Sequence, residues 1–533
     1  MLKGKKLSRR QFIVIGTGIA AGAALSACGT STPVAVEPKA TAEGGVSQSA
    51  TSQPSKSPTF TPAPVSKFKE APMLAELVKA GKLPPVEQRL PANPVIVSPT
   101  NKVGKYGGTL YCTGMAPETT NDAQIGNTAG FWHFSDDLKT LEPEVAEGFE
   151  FSDDAKTCTI HLRKNLKWSD GEPFTADDVI FYFEDWQFNK DLSPTLATQW
   201  QPGGKPMTYS KVDDSTIKFE FAVSNPAFAL IHWSAAPIEA FRPKHYCQKY
   251  HIKYNPKADE EAKAAGFNNW QARFQKITTL NYGAQDPDMP VLGPWRPVKN
   301  DSQRQYYERN PYYWKVDTEG NQLPYIDKMQ VEYTSSLEVT NLKAISGEIS
   351  LSGLDMMLIN YPVLKENEQK GDYKVKLVYS ERGSDVAFAL NQNHPDPVIK
   401  KIFGDIRFRQ ALSLAINRNE INDLVFLGQG VPRQATINES ASFYKKEWGD
   451  NYAQFDLDRA NKLLDEMGLD KKDADGFRLR PDGKPLSFML EYLPQEGPKK
   501  ETFELVVKYW VKAGLKAEAA ARERNFLITR LQA

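Results

Sequence analysis

The sequence predicts an α/β fold, and two observations support this prediction. Segments that alternate apolar and polar side chains, as strands do, are followed along the chain by segments with helical apolar spacing. The 533 residues are also 40% hydrophobic and 25% charged, a composition typical of a globular protein with a large core. Strands that alternate with helices indicate a largely mixed or parallel sheet.

The first 27 residues have the pattern of an export signal. Basic residues precede an apolar run from Phe12 to Leu25, which is too short to span a bilayer as a helix. The segment around Arg9 and Arg10, Ser8-Arg-Arg-Gln-Phe-Ile13, resembles a twin-arginine export signal. Leu25-Ser-Ala-Cys28 resembles a bacterial lipobox, which implies that Cys28 carries a diacylglyceryl anchor. An uncleaved N-terminal membrane anchor is the alternative.

Two segments separate this signal from the body. Residues 28–68 are rich in Ser, Thr and Pro and have too few apolar side chains to fold, so we expect a disordered tether. Residues 69–103 are expected to form an extended strap on the surface. The strap holds one helix, Met73 to Lys79, which ends at Gly81, and several prolines that enforce an extended path.

The first half of the body has a clear strand and a clear helix start. Cys158 to Arg163 alternates, which predicts a strand with Cys158 in the core and His161 facing solvent. Thr175 is the predicted N-cap of a helix that buries Val179, Phe183 and Trp186. Asp177 and Asp178 follow in the first turn. We interpret these acids as capping residues, because adjacent helical positions point about 100° apart and do not converge on one substrate atom.

The second half repeats the alternation of strands and helices. Asp405 is the predicted N-cap of a helix running to about Asn417, and Gly468 and Gly514 are predicted to close two later helices. The remaining predicted elements are strands Met329–Tyr333, Val386–Leu390 and Leu486–Tyr492, helices Leu342–Ile345, Leu457–Met467 and Thr502–Ala513, and an extended segment from Lys516.

Charge and motifs exclude several classes of function. The 66 basic and 66 acidic residues balance, and five of the basic residues lie in the export signal, so the body is mildly acidic. A nucleic-acid partner is therefore not expected. His245, Cys247 and His251 have a spacing that suits no common metal site, and the acidic loop 471–482 lacks the ligands of a calcium loop. No metal or cofactor is expected.

The body resembles the extracellular solute-binding proteins of family 5, which are the peptide- and oligosaccharide-type receptors of ABC importers. The densest match covers Leu141–Glu147, Leu162–Gly171 and Thr175–Val179. Further matching segments are Leu292–Trp295, Arg309–Trp314, Ile326–Asp327, Ser346–Ile349, Leu390–Asn391, Ile406–Ile416 and Asp475–Arg478.

The resemblance implies a two-lobe, periplasmic-binding-protein-like fold of type II that closes on its ligand by a hinge near 380–390. Lobe I is expected over 104–385, with an extra subdomain at about 117–205, and an incomplete lobe II over 386–533. In the family the chain returns to lobe I at its C-terminus, and that segment is apparently missing here.

The resemblance also suggests ligand-binding residues. In peptide-binding members an acidic residue after a lobe II strand pairs with the ligand's amino terminus, and Glu496 lies near that place, with a solvated loop acid as the alternative. Trp295 is a candidate for stacking on the ligand or for packing near the hinge. Asn391 is a candidate for hydrogen bonding to ligand backbone or for closing a turn.

These observations lead to three hypotheses about function. The first is a monomeric, lipid-anchored substrate-binding protein that captures oligopeptides at the outer face of the cytoplasmic membrane or in the periplasm. It would deliver them to the membrane subunits of an ABC importer, with no catalysis or cofactor. The second is the same role for oligosaccharides. The third, a secreted hydrolase, finds no support from a nucleophile or metal motif.

Overall fold

The structure is a computed structural model. It describes residues 68–115, 127, 129–135, 140–233, 240–278, 286–354, 356–378, 383–493, 498–523, 526–527 and 530, with side chains omitted at 231–233. The predicted export and lipidation residues Arg9, Arg10 and Cys28 lie outside this part of the chain, as does Glu496.

Backbone contacts divide the described chain into two compact units. The N-terminal unit comprises described residues from 68–111 and 127–332, and the C-terminal unit comprises 112–115 and those from 333 onward. The chain therefore passes to the C-terminal unit after Tyr111, has returned to the N-terminal unit by residue 127, and passes to the C-terminal unit again after Glu332. The lobe boundary expected at 385 stays a prediction.

The chain as far as 333 contains twelve described strands and seven described α-helices. The strands are β1 (Val95–Val97), β2 (Thr109–Gly114), β3 (Trp132–Phe134), β4 (Leu141–Pro143), β5 (Ala146–Phe151), β6 (Thr157–Leu162), β7 (Thr208–Asp213), β8 (Thr216–Glu220), β9 (Trp295–Asn300), β10 (Arg304–Arg309), β11 (Lys315–Asp317) and β12 (Lys328–Tyr333). The helices are α1 (Pro72–Lys79), α2 (Val86–Arg89), α3 (Ala176–Tyr182), α4 (Phe228–Trp233), α5 (Lys244–Cys247), α6 (Ala258–Ala264) and α7 (Trp270–Thr278).

Two four-stranded sheets organise this part of the chain, in the orders β5-β6-β8-β7 and β2-β12-β10-β9. Every pairing in the first sheet is antiparallel, and β10 is antiparallel to both β9 and β12. Within the described residues, parallel pairing joins β1 to β11 and, later in the chain, β13 to β14. The expectation of a largely mixed or parallel sheet is thus wrong for the sheet β5-β6-β8-β7, because short hairpin turns connect β5 to β6 and β7 to β8.

The core of the N-terminal unit lies between the sheet β5-β6-β8-β7 and α3. Cys158 and Val179 are both fully buried there, as the alternation and the helical spacing predict. α3 continues into a π-helical turn, Phe183–Gln187, which keeps Phe183 buried and Trp186 packed against the same cluster. His161 faces outward from β6 and lies 3.4 Å from Glu150, so its role as a solvated strand residue is confirmed.

The segment predicted as a surface strap is packed into the N-terminal unit. α1 forms where the sequence predicts it, and Gly81 follows with a positive φ of 69°. β1 pairs with β11, and Ala71 is fully buried. The Arg89 guanidinium is also buried: it is paired with Glu70 and donates to the side-chain oxygen of Gln322 at 3.0 Å.

The C-terminal unit contains nine described helices and two strands after 333. The helices are α8 (Leu337–Ile345), α9 (Tyr361–Glu366), α10 (Glu368–Gly371), α11 (Pro397–Gly404), α12 (Ile406–Leu414), α13 (Arg418–Val425), α14 (Lys446–Asp450), α15 (Leu457–Glu466) and α16 (Lys499–Lys512). The strands are β13 (Ser487–Tyr492) and β14 (Lys516–Ala521), a parallel pair joined through α16.

Most predicted elements of this unit are confirmed. Asp405 caps α12 by accepting from the Arg407 backbone N–H, and Gly468 and Gly514 follow α15 and α16 with positive φ values of 76° and 80°. The predicted strand Val386–Leu390 is wrong. Its alternate side chains pack on the core as those of a strand would, but its backbone forms no ladder with the described residues.

No helix in the described part of the chain is both long enough and apolar enough to cross a bilayer.

Candidate functional site

A cavity of about 630 Å³ opens within the C-terminal unit. One wall is the extended segment 383–390 and another is the loop 429–439. Residues of α12, α13 and α16 complete the lining. The volume is in the range of sites that bind small molecules.

The deep side of the cavity is apolar. Leu412, Ile416 and Ile421 are buried there and belong to the main hydrophobic cluster of the unit. Trp510 is 1% exposed, and its indole N–H donates to the Leu412 carbonyl at 2.9 Å. Phe388 packs on Trp510 with ring centroids 5.5 Å apart. The extended segment is therefore attached to the cavity floor by aromatic packing.

A polar cluster lies beside this floor at the junction of α12 and α13. Arg418 donates to the Ser413 carbonyl at 2.9 Å and to the Ser413 hydroxyl at 2.7 Å. The Gln434 side-chain amide donates to the same hydroxyl at 2.5 Å. The hydroxyl in turn donates to the carbonyl of Tyr452 at 2.7 Å. Desolvation lowers the pKa of Arg418 to about 10, so its guanidinium remains charged at neutral pH.

The loop 429–439 lies close to the extended segment at one point. The Thr436 backbone N–H donates to the Gly383 carbonyl at 3.3 Å. A β-carbon at Gly383 would lie 2.1 Å from the carbonyl oxygen of Thr436, so only glycine permits this approach. Two more contacts hold this loop. Arg433 lies 3.4 Å from Glu439, and the side-chain oxygen of Asn422 in α13 accepts from the Gly430 N–H at 2.8 Å.

Glu144 and Lys315 form a buried ion pair in the N-terminal unit. Glu144 is paired with Lys315, and His133 Nδ1 lies 3.2 Å from the same carboxylate oxygen. Burial raises the pKa of Glu144, but the positive charge of Lys315 and the hydrogen bond with His133 outweigh burial and lower it to about 2. Since Glu144 lies at the end of β4 and Lys315 begins β11, we interpret the pair as a structural tie between distant segments.

The structure places two of the predicted ligand-binding residues. Trp295 is 7% exposed at the start of β9, and its indole N–H donates to the Ile326 carbonyl at 3.1 Å. Asn391 is exposed just beyond the cavity segment, and its side-chain oxygen accepts from the Asn393 N–H at 2.9 Å. Glu496 lies outside the described residues. The roles of all three in ligand binding stay predictions.

The histidines singled out from the sequence have separate environments. His245 lies 2.8 Å from Asp170, a contact that raises its pKa against the opposing effect of desolvation. His251 is buried and accepts from the Lys253 N–H at 3.1 Å, and desolvation lowers its pKa. Cys247 is a buried core residue. Among the described residues, no group of three or more His, Cys, Asp and Glu side chains is placed to hold a metal ion.

Sequence reasoning missed Ser413, Arg418 and Gln434. Ser413 interrupts the apolar stripe of α12, which is a weak signal of a polar contact. Arg418 follows the N-cap Asn417 and resembles an ordinary exposed helical arginine. Gln434 lies in a loop without motif, so only the fold brings it to Ser413.

Comparison with known proteins identifies similar chains. Residues 140–532 match the profile described as "Bacterial extracellular solute-binding proteins, family 5 Middle". The periplasmic alpha-galactoside-binding protein of Rhizobium meliloti is 28% identical over 446 residues, which cover 77% of this chain and 60% of that protein. The chain thus spans less than two thirds of this relative's length.

Two solved structures resemble the chain. An oligopeptide-binding protein OppA is 38% identical with a TM-score of 0.61, and the match covers 87% of this chain and 73% of that one. The periplasmic binding protein MelB of Agrobacterium fabrum, solved with stachyose, is 26% identical with a TM-score of 0.69, covering 87% and 72%. These structures confirm the predicted α/β, two-lobe fold class.

Proposed function

Because this chain belongs to the bacterial extracellular solute-binding proteins of family 5, we propose that it captures a solute outside the membrane for an ABC importer. The proposed solute is an oligopeptide. Capture requires binding and release and no covalent chemistry, so the protein is proposed to act as a transport component without enzymatic activity or cofactor. Its proposed partners are the solute and the membrane subunits of the importer.

The cavity in the C-terminal unit is the observation that carries this proposal. Its floor is apolar and its side walls offer hydrogen-bonding groups, including Arg418 and Gln434. This combination suits a peptide, whose polar backbone alternates with side chains of varied polarity. The 38% identity to an oligopeptide-binding protein supports the same choice.

An oligosaccharide is the second candidate solute. The alpha-galactoside-binding relative and the stachyose-bound MelB structure favour it. The cavity itself favours it less, because sugar rings are commonly held by stacking on exposed aromatic faces. Trp510, the only tryptophan among the described lining residues, is 1% exposed and has no face open for stacking.

Native mass spectrometry of the purified exported domain tests the proposal. We expect co-purified species with the masses of short peptides, which unfolding of the protein releases. Species spaced by hexose masses would replace the peptide hypothesis with the oligosaccharide hypothesis. Turnover of either solute that is abolished by one carboxylate substitution would instead show an enzyme and contradict the proposal.

The remaining predicted residues keep their proposed roles. Arg9 and Arg10 are proposed to direct export, and Cys28 is proposed to carry the lipid that holds the protein at the membrane. Two acyl chains suffice for stable anchoring. Glu496 is proposed to pair with the amino terminus of the peptide, and Trp295 and Asn391 are the other candidate contacts.

A further inference from the structure

Arg418 is a cation in the wall of the cavity and has no carboxylate partner among the residues that the structure describes. Its three hydrogen bonds go to neutral oxygens: the Ser413 carbonyl at 2.9 Å, the Ala453 carbonyl at 3.1 Å and the Ser413 hydroxyl at 2.7 Å. A guanidinium has five N–H donors, and these hydrogen bonds use three of them. No acidic side chain lies within ion-pair distance of Arg418 in the described part of the chain.

The other charged side chains of the cavity are engaged elsewhere or exposed. Arg433 is paired with Glu439 at 3.4 Å, and Arg409 donates to the carbonyls that end α11, at 2.8 and 2.9 Å. Asp385 is exposed on the extended segment. The lining therefore has one more positive than negative side chain, and in the described part of the chain Arg409 and Arg418 both donate to neutral oxygens only.

A desolvated charge without a counter-ion is costly, and a bound anion would offset that cost. Arginine binds carboxylates particularly well because its planar fork can donate two parallel hydrogen bonds. The apolar floor formed by Leu412, Ile416 and Ile421 lines the same cavity. The site is therefore suited to a ligand group that combines a carboxylate with an apolar substituent.

We propose that the cavity is a subsite for a carboxylate that carries an apolar side chain, with Arg418 as the residue that recognises the carboxylate. This inference rests on the proposed function and deepens it, since the matching part of a peptide is an apolar C-terminal residue. A neutral oligosaccharide has no carboxylate, so it could not form an ion pair with Arg418. The subsite would thus favour peptides with a free, apolar C-terminal end.

A matched pair of small probes tests the subsite independently of peptide capture. N-acetyl-L-leucine and N-acetyl-L-leucinamide share the side chain and differ in the carboxylate. Their dissociation constants are measured by ligand-observed NMR on the wild-type protein and on the Arg418→Met, Arg418→Lys and Arg433→Met variants. Arg433→Met is the control, because Arg433 lines the same cavity but has its own acid. Circular dichroism checks that each variant is folded.

We expect the wild-type protein to bind the acid at least about tenfold more tightly than the amide, as loss of a charged hydrogen bond predicts. Arg418→Met should remove this preference, Arg418→Lys should retain part of it, and Arg433→Met should retain it. Equal affinities on the wild-type protein, or no saturable binding of either probe, would overturn the inference without reference to any variant. If the preference is found while the purified protein carries an oligosaccharide, the subsite stands and the proposed peptide function fails.

Discussion

Two charged side chains of this chain, the buried Glu144 and the half-buried Arg418, are stabilised in different ways at the level of single residues. Glu144 is paired with Lys315 and lies near His133, so its charge is compensated by opposite charges. Among the described residues, Arg418 donates only to carbonyl and hydroxyl oxygens. A compensated pair is typical of structural ties, whereas an uncompensated cation beside a cavity indicates a place for an anion.

The first prediction concerns Glu144 and pH. Its folded-state pKa of about 2 lies below the ordinary value of 4.5, so the ionised carboxylate stabilises the fold above pH 4.5. That contribution is lost as the pH falls from 4.5 toward 2. Glu144→Gln should lower the free energy of unfolding at pH 7 by about 3–5 kcal/mol, because Lys315 would remain buried without a partner.

Chemical denaturation at a series of pH values measures both effects. Glu144→Gln should also weaken the acid dependence of stability between pH 4.5 and 2. Glu150→Gln, at an exposed position of β5, is the control and should change the stability little. A Glu144→Gln protein as stable as the wild type would contradict the structural role assigned to the pair.

The second prediction concerns Gly383. Gly383→Ala places a β-carbon against the Thr436 carbonyl, so the loop 429–439 must move away from the extended segment. We expect a loss of about 1–3 kcal/mol in stability and weaker solute binding. Gly404→Ala is the matched control, since a β-carbon there meets nothing within 4 Å. Equal stability and equal solute affinity in the two variants would show that the position of the loop does not depend on the close contact between Gly383 and Thr436.

At the level of elements, several helices begin at side-chain caps that the sequence displays. Ser336, Asp405, Asn417 and Asp456 each accept a backbone N–H at the first turn of their helix. The α3 start is more elaborate: the Thr175 N–H donates to Asp178 at 2.9 Å, and the Lys244 N–H donates to the same carboxylate at 2.9 Å. The cap of α3 therefore also fixes the start of α5.

The third prediction tests this cap. Thr175→Ala removes the hydroxyl that accepts the Asp177 N–H at 3.3 Å, and it should cost about 1 kcal/mol of stability. Thr198→Ala, at an exposed position in the same unit, is the control and should be nearly neutral. Chemical denaturation of the two variants measures this difference in stability. Identical denaturation midpoints would mean that the Thr175 hydroxyl does not cap the helix.

At the level of the whole molecule, a family 5 body follows a segment with the pattern of an export and lipidation signal. The family is established by the match over residues 140–532. The anchor remains a proposal that rests on Cys28 and the residues before it. The tether at 28–68 would hold the body away from the membrane, where a soluble receptor collects its solute.

The fourth prediction concerns this anchor. Cys28→Ser should prevent lipid attachment, and the protein should then appear in the soluble fraction instead of the membrane fraction after cell lysis. Ser31→Ala, three residues later, is the control and should stay with membranes. Fractionation followed by mass measurement of the N-terminus reads out both location and modification. Membrane retention of the Cys28→Ser protein would contradict the lipobox interpretation.

Local sequence signals correctly predict several helices and one strand of this chain. Capping residues, closing glycines and apolar periodicity placed α12, α15, α16 and β13, because each depends on contacts within a few residues. The motifs between 141 and 179 likewise indicate the family without any information on the fold.

Other features depend on contacts between segments that are distant in the sequence. The segment 386–390 alternates like a strand but forms no ladder with the described residues, because pairing depends on a partner that local sequence does not specify. The burial of Arg89, which is part of the strap, depends on a segment more than 200 residues away. The contact between Ser413, Arg418 and Gln434 arises because a helix junction and a remote loop converge on one cavity. Long-range contacts of this kind leave no periodic trace in the sequence, and in this protein they build the candidate site.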